Sequence, residues 1–239
     1  ARSQADVSAL NGGAIYVFLS SHTEAEELYP STPTQVFSGQ SRREELGREF
    51  VLDDLNQDGF VDLVYGARGA DLGFTDGGML RVHYGEEGGL FSEEPTFTLS
   101  SAQTDNHLGA SVAVCDFNGD GWLDIAGGAL LYEDRSQDPI NWNEGAIFVY
   151  LGDEAGFTSS PDQVIRGFMY QGEGEWAGFP HLNLGYAMTT GDFNGDGRCD
   201  LASSSVSWSS QNRGLVYVYA GTEEDEWGWG GLSDTPVIV

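Results

Sequence analysis

The chain has 239 residues, enough for one sizeable core or for a run of repeats. Its 10 Lys and Arg stand against 38 Asp and Glu, a formal net charge of −28. A field of that sign repels phosphate backbones and anionic lipid surfaces and attracts cations, which excludes nucleic acid as a partner class.

With 34 glycines and 12 % aromatic residues, the composition suits short strands joined by tight turns. No apolar run approaches the roughly 18 residues of a membrane-spanning helix, so membrane insertion is not expected. In chain order the first element is an alternating segment, GAIYVFL from Gly13. It lacks the charged leader and cleavage site of a signal peptide, as a mature or trimmed chain also would. SHTEAEELY from Ser21 is the best helical candidate and reads rather as a loop or an irregular turn. TQVF at Thr34 follows as a second strand, and then comes a unit that recurs.

Each unit opens on Leu-Gly (Leu46-Gly47, Leu108-Gly109, Leu184-Gly185), eight residues before Asp54, Asp116 and Asp192. An acidic loop follows, D-x-N-x-D-G-x-x-D, and runs into a short apolar segment: FVDLVYGA, WLDIAGGA or RCDLASSS. Strictly alternating segments start at Gly78, Gly145 and Gly214, echoing the one at Gly13. Closing segments lie at Thr96, Gln163 and Pro236. Alternation at period two is the signature of a half-buried strand.

The unit recurs at 62 and then 76 residues, and the extra length falls in LLYEDRSQDPINWN and GFMYQGEGEWAGFPHLN. Four short antiparallel strands per unit make one blade of a β-propeller. The fold class expected is therefore all-β, with about three and a half blades in one propeller segment. Residues 1–40 supply the last two strands of a partial blade, and 41–100, 101–168 and 169–239 supply three whole ones. Such a set leaves an open strand edge and an apolar face at each end. The missing blades would come from a longer chain or from self-association.

The acidic loops carry the chemistry. Positions 1, 3, 5 and 9 offer side-chain oxygens, and position 7 offers a carbonyl. The sets are Asp54, Asn56, Asp58, the Phe60 carbonyl and Asp62; Asp116, Asn118, Asp120, the Trp122 carbonyl and Asp124; and Asp192, Asn194, Asp196, the Arg198 carbonyl and Asp200. Gly59, Gly121 and Gly197 at position 6 permit a sharp turn. Two carboxylates about 5 Å apart repel by roughly 3 kcal/mol at an effective dielectric near 20, so an ordered loop of this kind calls for a counter-charge. Hard oxygen donors on a flexible loop favour calcium over magnesium, and about three ions are expected, one per complete unit. EF-hands are excluded, because position 12 is Tyr65, Gly127 or Ser203 where they need a glutamate. The metal role expected is structural: a clip between two strands of a blade.

Cys115 precedes one acidic loop and Cys199 lies inside another. Their different places in the repeat argue against a disulfide joining them.

LGREFVLDDLNQDGFVDLVYGA, LGASVAVCDFNGDGWLDIAGGA and LGYAMTTGDFNGDGRCDLASSS resemble the FG-GAP repeats of integrin α-subunit propellers and their bacterial relatives. Leu-Gly stands in the Phe-Gly place, while Gly66-Ala67 and Gly128-Ala129 stand where Gly-Ala-Pro is expected. The third copy has Ser204-Ser205 there, and no copy has the proline. What the resemblance implies is a calcium-stabilised propeller, typically seven-bladed and typically extracellular.

The function expected is that of an extracellular adhesion or ligand-binding module, not an enzyme. Its partner would be a protein or a glycan. An alternative is a lectin-like propeller with Trp142, Trp176, Trp208, Trp227 and Trp229 as stacking residues, or a non-catalytic accessory domain of a larger secreted enzyme. His22, His83, His107 and His181 hold unmatched places in the repeats, and no G-x-S-x-G or H-E-x-x-H motif occurs.

Overall fold

The computed structural model describes residues 11–20, 31–134, 143–167, 183–206, 214–223 and 230–238. Every regular element among them is a strand. β1 (Ala14–Val17) and β2 (Gln35–Ser38) pair as a two-stranded sheet. The second sheet runs β3 (Phe50–Asp53), β4 (Asp62–Ala67), β5 (Met79–His83) and β8 (Phe97–Ser100). Between its last two strands, β6 (Gly85–Glu86) and β7 (Leu90–Phe91) form a small ribbon. The third sheet runs β9 (Leu108–Cys115), β10 (Asp124–Ala129), β11 (Ala146–Tyr150) and β12 (Gln163–Arg166). The fourth runs β13 (Ala187–Gly191), β14 (Asp200–Val206), β15 (Gly214–Tyr219) and β18 (Val237–Ile238). Its ribbon is β16 (Gly221–Thr222) with β17 (Gly231–Leu232). Every pairing within the sheets is antiparallel, as propeller blades require.

Alternation along each strand divides its side chains between two apolar layers. From β4, Leu63 and Tyr65 enter the layer shared with Ile15 and Phe37 of the two-stranded sheet. Val64, between them, faces the other way, into the layer shared with Val112 and Phe148. From β11, Phe148 and Tyr150 join that same layer, while Ile147 and Val149 face Tyr217 and Tyr219 of the fourth sheet. The middle sheet is thus covered on both sides, and β11 is buried at every residue. Burying one such side chain is worth about 1.5–3 kcal/mol, so the three layers carry most of the fold's stability. At the outer faces the cross-strand partners Tyr16 and Val36 are exposed, as is Val216. Phe50 and Leu52 are exposed on the face of the second sheet that carries Tyr65 and Leu63, their cross-strand partners.

The recurrent Leu-Gly and Gly-Ala pairs mark where one sheet meets the next. Gly13, Gly78 and Gly145 bridge in parallel to Leu46, Leu108 and Leu184 of the following unit. A Cβ on Gly66 would lie 2.0 Å from the Gly109 carbonyl oxygen, and one on Gly128 would lie 2.1 Å from that of Gly185. Backbones therefore touch at these junctions, and no side chain larger than hydrogen fits.

One expectation is corrected. Cys115 and Cys199 are joined in a disulfide, with Cα atoms 6.2 Å apart across 84 residues of sequence. Their places differ within the repeat, but stacking carries the third acidic loop past the end of β9. The Phe117 and Cys199 carbonyl oxygens both lie about the Gly221 Cα, 3.0 and 2.4 Å from where a Cβ would stand. In the chain-entropy treatment, a loop of that length stabilises by about 4–5 kcal/mol.

Candidate metal centres

Each acidic loop joins the first two strands of a blade, and all three fold by the same hydrogen bonds. In the first, the Asp54 carboxylate accepts the backbone N–H groups of Asp58 and Gly59, at 3.1 and 2.9 Å. Asn56 Oδ1 accepts the Asp58 N–H at 3.1 Å, while its Nδ2 donates to Asp58 Oδ2 at 2.9 Å. Asp58 Oδ1 takes the Phe60 N–H at 2.8 Å.

The second loop repeats this with Asp116 on Gly119 and Gly121, Asn118 on Asp120, and Asp120 on Trp122. The third repeats it with Asp192 on Gly195, Asp196 and Gly197, Asn194 on Asp196, and Asp196 on Arg198. The chain turns back through positive φ at positions 4 and 6: Gln57 and Gly59, Gly119 and Gly121, Gly195 and Gly197. Gln57 alone holds this conformation with a side chain, and its Nε2 donates to the Gly121 carbonyl of the second loop at 2.7 Å.

Position 9 behaves differently from the other acidic positions. Asp62, Asp124 and Asp200 are at most 1 % exposed. One oxygen of each accepts the backbone N–H of loop position 2: Leu55 at 2.8 Å, Phe117 at 2.7 Å and Phe193 at 2.9 Å. The other accepts an N–H just past the third strand of the blade: Gly85 at 2.7 Å, Gly152 at 2.9 Å and Gly221 at 3.0 Å. These carboxylates staple the loop to the corner beyond the third strand. Sequence reasoning placed them in the metal set and missed this second partner, whose only trace is the recurring glycine after the alternating segment.

Burial drives the Asp62 carboxyl above the ordinary range, opposed by the two N–H donors and reinforced by the charges of Asp58 and Asp54. Burial likewise pushes Asp124 up to about 7, with Asp120 and Asp116 adding to it. At the third loop a guanidinium is present. The backbone N–H of Arg198, then the Asn194 amide and the Arg198 guanidinium, hold the Asp196 carboxyl below its ordinary value.

The donor set is all oxygen, mostly anionic and concentrated in nine residues, which fits a hard divalent cation in kind. Among the described residues, no three acidic, histidine or cysteine side chains converge closely enough to cage an ion. The position-9 carboxylates lie inward on backbone amides, while in each loop the position-3 amide donates to the position-5 carboxylate and position 1 accepts backbone N–H groups of the turn. The five tryptophans expected to stack on sugars, Trp142, Trp176, Trp208, Trp227 and Trp229, lie outside the described residues, as do His22, His181 and the segment from Ser21. His83 is buried, with Nδ1 on the Ser92 carbonyl at 2.8 Å and Nε2 beside the Tyr65 hydroxyl at 3.3 Å, which makes it a packing residue.

A family model of the FG-GAP-like repeat matches residues 54–127, from the first acidic loop through the second. The chain carries an FG-GAP, integrin-α-like repeat domain. Among its relatives, phosphatidylinositol-glycan-specific phospholipase D of Rattus norvegicus is 33% identical over 184 residues, 73% of this chain and 20% of that protein. Integrin alpha-7 of Rattus norvegicus is 32% identical over 182 residues, covering 73% of this chain and 14% of the integrin. Integrin alpha-6 of Homo sapiens is 31% identical over 137 residues, 56% of this chain and 11% of the integrin. The FG-GAP domain thus spans about a fifth or less of the length of these relatives. Both kinds of relative share the repeat region, so the likeness reports the scaffold.

Proposed function

We propose that this FG-GAP domain is a calcium-stabilised extracellular propeller module that presents its inter-strand loops to a protein or glycan ligand. The observation that carries the reading is one hydrogen-bond pattern built three times around Asp-x-Asn-x-Asp loops, each stapled by a buried aspartate. Bound calcium would supply the positive charge these carboxylates lack. Positions 1, 3 and 5 and the position-7 carbonyl would hold it, with position 9 contributing where its lone pairs allow. The residues themselves fix the strand-to-strand turn, and metal catalysis is not part of this reading. The disulfide supports an oxidising, extracellular setting. The integrin relatives support a protein ligand, and insertions between the blade strands give such a ligand varied surface.

Thermal unfolding in calcium, in magnesium and in excess chelator tests the reading. Binding to the folded state alone stabilises by RT ln(1 + [L]/Kd), about 2.7 kcal/mol at a hundredfold excess over Kd. The melting temperature should rise in calcium, far less in magnesium, with about three ions bound at saturation. A melting temperature indifferent to calcium would end the metal assignment.

A further inference from the structure

The three loops are not electrically equivalent. Position 7 is Phe60 in the first and Trp122 in the second, and among the described residues no arginine pairs with a carboxylate of either loop. In the third it is Arg198, whose Nη2 donates to Asp196 Oδ2 at 2.9 Å. Nη1 of the same guanidinium reaches Glu223 Oε1 at 2.8 Å, and Nε reaches the Gly221 carbonyl at 3.2 Å. Gly221 in turn gives its N–H to Asp200 Oδ1 at 3.0 Å. One side chain therefore joins position 5 of the loop to the corner that holds position 9.

We propose that Arg198 is a resident counter-cation of the third loop, and that it sets this loop's calcium affinity below that of the other two. The proposal rests on the calcium reading above. Asp196 has one donor more than Asp58 and Asp120: Oδ1 takes the Arg198 N–H, and Oδ2 takes the guanidinium beside the Asn194 amide. A divalent ion entering there meets a fixed positive charge within a few ångström and must displace it from Asp196. The guanidinium has somewhere to stay, because Glu223 and the Gly221 carbonyl retain it outside the loop. The loop would therefore stay ordered without metal, as a guanidinium gives a directional, forked contact that a hydrated ion does not. The first two loops, lacking such a partner, depend on the ion.

Calcium titration of the full chain by calorimetry, beside the Arg198→Gln variant, decides the matter. The chain should bind two ions tightly and a third about tenfold more weakly, a factor of the size one screened charge commands. Arg198→Gln keeps a hydrogen-bonding side chain and removes the charge, and should bring the third site to within about threefold of the others. Amide exchange on the unaltered, calcium-free chain gives a reading that needs no variant. Residues 193–198 should stay protected while 55–60 and 117–122 exchange faster. Three equal sites in the unaltered chain, an unchanged weak site in Arg198→Gln, or equal exchange across the three loops would each overturn the role of Arg198 while leaving calcium binding intact. Binding of no calcium would overturn both.

Discussion

Substituting Gly128 by serine perturbs the backbone contact between the third and fourth sheets. The new Cβ would stand 2.1 Å from the Gly185 carbonyl oxygen and 2.4 Å from Ser111 Oγ. Ser111 Oγ donates to that same carbonyl at 2.6 Å, so the added atom must part the sheets or break this buried hydrogen bond. Overpacking costs about 1–3 kcal/mol. Leaving the Gly185 carbonyl without its donor costs about 1–3 kcal/mol more, for a total of about 4 kcal/mol. For a domain of this length that is a fall of about 8–16 °C in melting temperature. Ser204 occupies the equivalent place in the last unit, and the described residues bring no Leu-Gly backbone against it. Ser204→Gly should therefore cost about 0.5–1 kcal/mol, the ordinary penalty of glycine in a strand. Chemical denaturation in saturating calcium measures both. A loss under about 1 kcal/mol for Gly128→Ser, or equal losses for the two variants, would refute backbone contact as the reason for the glycine.

Asp124→Ala removes the acceptor for two buried N–H groups, those of Phe117 and Gly152, and should cost about 2–6 kcal/mol with or without calcium. Asp120→Ala, exposed on the loop's rim, should cost clearly more stability in calcium than in chelator. Equal calcium dependence of the two, read by denaturation with and without chelator, would mean that position 9 is a ligand and no staple. Acidification bears on the histidines. Burial holds His83 and His107 below their ordinary value of 6.5 in the folded state, so the unfolded chain takes up the proton first. The histidines' share of the stability should then fall as the pH drops below 6.5, by up to about 1.4 kcal/mol per pH unit for each until the folded state also protonates, while the raised carboxyls of Asp62 and Asp124, protonated first in the folded state, act in the opposite sense. His83→Gln should remove one such slope, and an unaltered pH profile in that variant would count against it.

The architecture was legible because its signals are local. A strand's alternation, as in GAIFVYLG, is a property of adjacent residues, and three copies of one acidic loop cannot be confused with an ordinary turn. Glycine at positions 6 of those loops follows from a turn that the loop makes on itself. The Leu-Gly and Gly-Ala pairs were visible as a pattern, but their cause was not. Gly66 is glycine because Gly109, in the next sheet, presses its carbonyl there.

The sequence by itself determined the blades, their order and the acidic loops, since hydrophobic period and turn chemistry act over a few residues. Tertiary structure decided which groups distant in sequence meet. It brought Cys115 to Cys199 over 84 residues, against the expectation from their unequal places in the repeat. It took both oxygens of Asp62, Asp124 and Asp200 onto backbone amides from two separate corners. It also gave the third loop a guanidinium shared with Glu223. The disulfide depends on how one sheet is stacked on the next, and the other contacts on how the loop of a blade closes against the corner beyond its third strand. That geometry is set by the filling of whole apolar layers, and no single stretch of sequence contains it.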